Sequence, residues 1–175
     1  AFFATSLALS IVPAVSEALA KGQHALVAQR SEIALRITFL FGLPASVGLA
    51  VIATPTNILL YTNDNGSATI AILALTTVFS TLGVTSSGIL QGLGLVVLPA
   101  RNLLCGVGVK LILNLLLIGP WGISGAAVAT VMSYAVSTGL NLRSLFKRIK
   151  FNIPWRVQLK PVIATVLMAL AVYVV

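Results

Sequence analysis

The sequence predicts an all-α integral membrane protein in which transmembrane helices form an antiparallel bundle. Of its 175 residues, 58% are hydrophobic and only 8% are charged, and the mean hydropathy is +1.07. A soluble domain of this length could not hide so much apolar surface, because a globule must present polar groups to water. Ten of the eleven Lys and Arg residues also fall on one side of a membrane drawn from hydropathy alone.

Crossing ~30 Å of hydrocarbon as a helix takes roughly 20 apolar residues, and six segments of the chain meet that requirement. Together they form a single predicted transmembrane bundle over residues 1–175. The predicted helices are 1–20, 33–61, 68–93, 98–118, 123–146 and 159–175. Their connections are short, so neighbouring helices should run antiparallel. Both ends of the chain lie in apolar runs, and we therefore expect it to be a fragment of a larger membrane protein.

The basic residues predict how the bundle is oriented. They flank every second connection, whereas residues 62–67 and 119–122 contain no Lys or Arg. The clustered residues are Lys21, Arg30, Arg36, Arg101, Arg143, Lys147, Arg148, Lys150, Arg156 and Lys160. Short loops rich in Lys and Arg stay cytoplasmic, so these connections are predicted to face the cytoplasm. Membrane orientation accounts for the net charge of +8, and no nucleic-acid partner is predicted.

The second predicted helix contains two prolines, Pro44 and Pro55. Proline in a membrane helix frees a backbone carbonyl and allows a kink. Each proline is either a fixed kink or a bending point during transport, and the sequence does not decide between the two.

The third predicted helix carries a polar face. Its members follow one another at steps of three and four, which places them on one side of a helix. They are Thr76, Ser80, Gly83, Ser87 and Gln91. Gly88 and Gly92 add the spacing that lets two membrane helices approach closely. Gln91 has an amide that lipid cannot satisfy, and it is a candidate substrate contact. The fifth helix has a similar face at Thr130, Ser133, Tyr134, Ser137 and Asn141.

The fourth predicted helix has the most informative pattern. Asn102, Gly106, Lys110 and Asn114 recur every four residues and form one slanting polar stripe. Lys110 lies in the middle of the apolar segment, where an unpaired ammonium costs about 2.5–3.5 kcal/mol on insertion scales. It either extends toward the outer surface or faces a water-filled cavity. A cavity explains why amides share its face, so Lys110, Asn114 and Asn102 are predicted to line one.

A cationic, amide-lined cavity suits an anionic cargo that forms hydrogen bonds, such as a sugar phosphate. The three acidic residues, Glu17, Glu32 and Asp64, lie at helix ends or in a loop. No catalytic cluster of His, Asp or Glu can be built from them, which argues against an enzyme. No metal site or cofactor is predicted either. Cys105 cannot form an intrachain disulfide and is predicted to be a packing residue.

Five short stretches resemble one family of membrane proteins in both order and spacing. They are Pro13–Gly22, Arg36–Leu49, Gly88–Gly94, Lys110 with Asn114, and Gly122–Thr130. They resemble stage V sporulation protein B and its polysaccharide-biosynthesis relatives, in the superfamily of the MurJ-like lipid II flippases and the MATE multidrug exporters. The resemblance covers nearly the whole chain. It implies two six-helix lobes around a central cavity, with this chain as most of the C-terminal lobe and one later helix.

The resemblance implies a flippase that moves undecaprenyl-pyrophosphate-linked glycan precursors, lipid II foremost, across the bacterial inner membrane by alternating access. Its implied partners are the lipid-linked oligosaccharide, membrane lipid and an N-terminal lobe of the same protein. The resemblance does not assign substrate contacts in this chain, so these come from its own polar residues: we expect Lys110 to contact phosphate, and Arg36 and Arg101 to attract the headgroup at the inner mouth. The amides of Gln91, Asn102 and Asn114 would contact sugar, peptide or water. A cation-coupled multidrug exporter, or less so a membrane enzyme acting on lipid-linked sugar, is the alternative.

Overall fold

The computed structural model describes residues 2–61, 66–149 and 155–174. All regular secondary structure in these residues is helical, which confirms the predicted fold class. The helices are α1 (Phe2–Ala20), α2 (His24–Val51), α3 (Ala53–Tyr61), α4 (Ser67–Ala74), α5 (Thr76–Gly92), α6 (Val97–Arg148) and α7 (Trp155–Val174). Most of the predicted outer loop, 62–65, and part of the basic connection, 150–154, lie outside the described residues.

Four helical stretches of the described chain are long and apolar enough to cross a membrane. They are Phe3–Ala20, His24–Val51, Ser67–Gly92 and Val97–Arg148, and Pro161–Ala171 is a shorter apolar helix. The chain is therefore built to pass through a membrane several times.

The second predicted helix differs from its prediction at both ends. α2 begins at His24 rather than at residue 33, because hydropathy assigned its polar first turns to a connection although those residues favour helix. The helix also ends at Val51, and α3 starts after Ile52. Pro55 explains this break, since its ring excludes a hydrogen bond to the Val51 carbonyl. Pro44 is accommodated inside α2 without a break.

α4 and α5 correspond to the third predicted helix, interrupted at Leu75. The hydroxyl of Ser46 on α2 donates to the Ala74 carbonyl at 2.8 Å. This bond joins α2 to the break, where the Leu75 N–H bonds to the Ile72 carbonyl instead of the carbonyl four residues back.

α6 is a helical hairpin and contains the fourth and fifth predicted helices. Its direction reverses at Gly122, whose φ of 54° and ψ of −133° are not helical. We call residues 97–121 the first arm and residues 123–148 the second arm. The arms pack closely because Gly106 has no side chain, and Ser133 donates across to the Gly106 carbonyl at 2.8 Å.

α5 is the central helix, and it contacts α1, α2 and α6. α1 lies against it where Ala8 meets Gly88 and Val12 meets Gly92, so the two helices run parallel. α2 runs antiparallel to α5, and the buried hydroxyls of Thr38 and Thr85 are 2.8 Å apart between them. α7 packs on the far side of α2. With these helix directions, every second connection lies at the same end of the bundle, as the positions of the basic residues predict.

Candidate substrate groove

A groove of about 540 Å³ opens on one side of the bundle. α5 and the second arm of α6 form its floor, and α1 and the first arm form its walls. Most of its lining is aliphatic, contributed by residues such as Leu9, Val84 and Leu103. Its polar lining residues are Thr5, Ser80, Ser87, Gln91, Tyr134, Ser137, Thr138 and Asn141. We call this cavity the groove.

The predicted polar face of α5 faces the groove. Ser80, Gly83, Ser87 and Gln91 all line it, as the steps of three and four require. Thr76 precedes Ser80 by one turn on that face, and its buried hydroxyl has no hydrogen-bond partner among the described residues. Gln91 is exposed at the end of α5 that carries the basic connections. Its amide is therefore open to any molecule in the groove.

An amide relay ties the floor of the groove to its wall. The Nδ2 of Asn102, on the first arm, donates to Oδ1 of Asn141 at 2.8 Å. The Nδ2 of Asn141 in turn donates to the Ser87 hydroxyl on α5 at 3.0 Å. Asn102 is only 7% exposed and does not line the groove. It therefore positions Asn141, and its predicted contact with cargo stays a prediction.

Lys110 and Asn114 do not line the groove itself. They lie further along the first arm, the helix that forms one of its walls. They follow Leu103 by seven and eleven residues, close to two and three full turns, so all three share a helix face. Both are half-buried. Lys110 has no hydrogen-bond or ion-pair partner in the described chain, and the buried Oδ1 of Asn114 has none either. The ammonium of Lys110 and the Oδ1 of Asn114 therefore both lack a partner, on the helix face that also forms the groove wall at Leu103.

Arg36 and Arg101 are both exposed, and neither lines the groove. Arg36 lies on the side of α2 opposite its buried face, and Arg101 lies on the side of the first arm away from the second. If Arg36 and Arg101 attract a headgroup at an inner mouth, as predicted, they do so on the outer surface of this bundle and not in the groove.

The site residues that sequence reasoning missed are those supplied by α1 and the second arm. Asn141, Ser137 and Tyr134 belong to a polar face that the spacing identified, but their place in the groove depends on how the α6 hairpin packs against α5. The α1 wall, made of Thr5, Ala8 and Leu9, gives no sequence signal. Cys105 was predicted wrongly as a packing residue, since it is exposed.

The described residues contain no group of three or more His, Cys, Asp and Glu side chains that could hold a metal ion. Their one ion pair joins Lys21 to Glu17 at 2.5 Å on the exposed end of α1. The groove itself presents hydroxyl and amide groups between aliphatic walls. Such a lining can bind a neutral, polar and partly apolar molecule by hydrogen bonds.

A groove that presents hydroxyl and amide groups within a bundle of long apolar helices fits a membrane transport protein. The family is established by sequence comparison: the chain belongs to the lipid II flippase MurJ family, whose profile matches residues 1–175. Flippases of this family are transporters rather than enzymes. The chain is thus a multi-pass protein of the bacterial inner membrane, which confirms its predicted class and location.

Three curated proteins illustrate the family relationship. An uncharacterized membrane protein of Bacillus subtilis, YabM, is 38% identical over 82% of this chain and 27% of its own length. The lipid II flippase MurJ of B. subtilis is 26% identical over 77% of this chain and 26% of its own length. The probable low-salt glycan biosynthesis flippase Agl15 of Haloferax volcanii is 31% identical over 86% of this chain and 33% of its own length. The chain spans about a quarter to a third of these relatives.

Proposed function

We propose that this chain contributes to a flippase that moves an undecaprenyl-pyrophosphate-linked glycan precursor outward across the membrane, with lipid II as the specific cargo. Membership of the MurJ family supports the class of cargo. The observation that carries the proposal within this chain is the unpartnered pair on the first arm. Lys110 and Asn114 lie on the same helix face as the groove wall.

The two polar regions suit different parts of such a cargo. Lys110 provides a cation for the pyrophosphate. Beside it, the amide nitrogen of Asn114 can donate to a phosphate oxygen, and its Oδ1 can accept from a sugar hydroxyl. The groove, which begins roughly 10 Å along the first arm from Lys110 at ~1.5 Å per residue, provides Ser80, Ser87 and Gln91 for sugar hydroxyls. Its aliphatic walls match the apolar faces of sugar rings.

Transport follows from alternating access. In this mechanism two groups of helices rock about a site near the membrane midplane. The bundle described here would move as one such group, because the amide relay and the close glycine contacts join α1, α5 and α6 into a packed unit. The remainder of the longer protein would supply the opposing group.

Lys110→Met tests the proposal in the full-length protein. The substitution removes a costly charge from an apolar segment, so insertion should be at least as good as in the parent. Transport should nevertheless fall at least tenfold if Lys110 contacts pyrophosphate. Lys110→Arg should keep part of the activity, because the charge remains while its geometry differs. The measurement is rescue of cells depleted of their own flippase, with membrane abundance checked by immunoblot.

Leu111→Met is the matched control, since Leu111 is the adjacent residue and is exposed on another helix face. It should support growth like the parent. Full rescue by Lys110→Met at equal abundance would show that Lys110 does not bind the cargo.

A further inference from the structure

A second cavity of about 540 Å³ lies at the end of the bundle that carries the basic connections. It is formed where α1 ends, α2 begins, α5 connects to α6, and α6 ends. Its floor is apolar and includes Leu19, Val27, Leu93 and Ile149. His24 and Arg148 lie at its rim. We call it the basic-end pocket.

The floor of the basic-end pocket is part of the packed core. Val27 is 3% exposed and Ile149 is 7% exposed, and Leu19, Leu93 and Leu95 pack against the same buried cluster. The apolar surface is therefore held in place by the fold rather than by mobile side chains. The part of this surface that a ligand can contact comes from Leu19, Leu93 and Leu95, which are only partly buried.

The rim of the pocket has one cation, Arg148, that the described residues do not neutralise, and beside it the imidazole of His24. His24 and Arg148 are exposed, and neither has a hydrogen-bond or ion-pair partner among the described residues. The carboxylate of Glu17, on the same end of α1, is already paired with Lys21. Arg148 carries a guanidinium whose geometry suits bidentate bonds to phosphate oxygens.

We propose that the basic-end pocket binds one anionic phospholipid of the cytoplasmic leaflet. The phosphodiester lies between Arg148 and His24, and the start of an acyl chain lies on the floor beside Leu19 and Leu93. Basic pockets between membrane helices on the cytoplasmic side bind anionic headgroups by this combination of charge and apolar contact. The site is separate from the groove and does not depend on the cargo proposed for it.

A specific lipid site and non-specific attraction to a basic surface can be distinguished by which basic residues affect binding. Lys147 is exposed at the same end of α6 and does not line the pocket. If lipid is attracted only by the basic surface, Lys147 and Arg148 contribute equally. If lipid occupies the pocket, Arg148 contributes far more than its neighbour.

The test measures phosphatidylglycerol bound to the full-length protein in detergent by native mass spectrometry. Phosphatidylcholine with the same acyl chains is the neutral comparison. Arg148→Gln should lower the apparent affinity for phosphatidylglycerol about fivefold, the equivalent of one juxtamembrane charge, while Lys147→Gln should leave it within twofold. Equal losses in the two variants, or equal binding of both lipids by the parent, would overturn the proposal.

Two water-soluble probes separate a lipid from a free phosphate. Glycerophosphoglycerol has the same headgroup without acyl chains, and inorganic phosphate has the anion alone. Neither should displace bound phosphatidylglycerol at concentrations that saturate binding of the lipid, because neither gains contact with the apolar floor. Displacement by either probe at such concentrations would show a simple phosphate site and contradict the lipid assignment.

Discussion

Asn102 and Asn141 face each other across the α6 hairpin, and the amide nitrogen of Asn102 lies 2.8 Å from the amide oxygen of Asn141. Both side chains are buried. Leaving a buried amide unpaired is costly, so the pair favours the register in which the two arms are found. Through Ser87 the same relay fixes the hairpin to α5.

Replacing Asn102 with Ala should destabilise the protein and loosen the groove floor, because Oδ1 of Asn141 then loses its donor. In a double-mutant cycle with Asn141→Ala, we expect a coupling energy of roughly 0.6 to 1.7 kcal/mol, the range found for hydrogen bonds between membrane helices. Thermal unfolding in detergent measures it. Ser144→Ala is the control, since Ser144 bonds only within its own helix, to Leu140. Additive effects of the two Asn substitutions would contradict the relay.

Replacing Gln91 with Leu should lower transport without lowering stability. Gln91 is exposed in the groove, so its amide supports no packing, and a loss of several-fold would reflect a lost contact with cargo. Rescue of flippase-depleted cells and thermal unfolding measure the two effects separately. Gln29→Leu makes the same chemical change at an exposed site on α2 outside the groove and should be silent. Parent-like rescue by Gln91→Leu would remove Gln91 from the site.

Replacing Gly125 with Ala should disrupt the α6 hairpin. A Cβ at Gly125 would lie 2.7 Å from the carbonyl carbon of Leu117 and closer still to its oxygen, and backbone atoms cannot easily move away. The cost should be about 1–3 kcal/mol, as for other overpacked sites, seen as a lower melting temperature. Gly108→Ala is the matched control, because nothing lies within 4 Å of its added Cβ. It should be neutral or slightly stabilising. Equal behaviour of the two variants would mean that the arms are not in close contact.

Cysteine labelling should place the turn of the α6 hairpin and the end of its second arm on opposite sides of the membrane. With Cys105 replaced by Ala, a cysteine at Trp121 should react with a membrane-impermeant thiol reagent in intact cells. A cysteine at Lys147 should react only after the cells are opened. Both positions are exposed, and the basic residues beside Lys147 predict a cytoplasmic location. Labelling of Lys147 from outside would reverse the proposed orientation.

The sequence predicted the features of this fold that depend on local composition. Apolar composition predicted the all-helical membrane class, and the steps of three and four in α5 identified the polar face that lines the groove. The sequence did not predict the break between α4 and α5. Nothing in the local sequence shows that Leu75 would separate α4 from α5, or that Ser46 of α2 would donate to the Ala74 carbonyl beside that break.

Helical spacing, which is a local property of the sequence, predicted part of the candidate site. Spacing placed Asn102 and Lys110 on one stripe, but the stripe drifts around the helix by about 40° at each step of four. Its inner residues therefore face the second arm, where Asn102 finds Asn141, while Lys110 and Asn114 turn toward the groove side. Which residue meets which surface is decided by the packing of the hairpin, and that is a long-range property.

The central position of α5 has a consequence for biogenesis. α1 and α2 precede α5 in the chain, yet the surface that each buries is completed only when α5 arrives with Thr85, Gly88 and Gly92. Membrane helices insert first and associate afterwards. Until α5 enters the bilayer, α1 and α2 lack the helix against which both pack, and the hydroxyl of Thr38 lacks its partner on α5. Quality-control proteases of the membrane would meet this half-assembled intermediate, so truncation before α5 should be far more damaging than truncation after it.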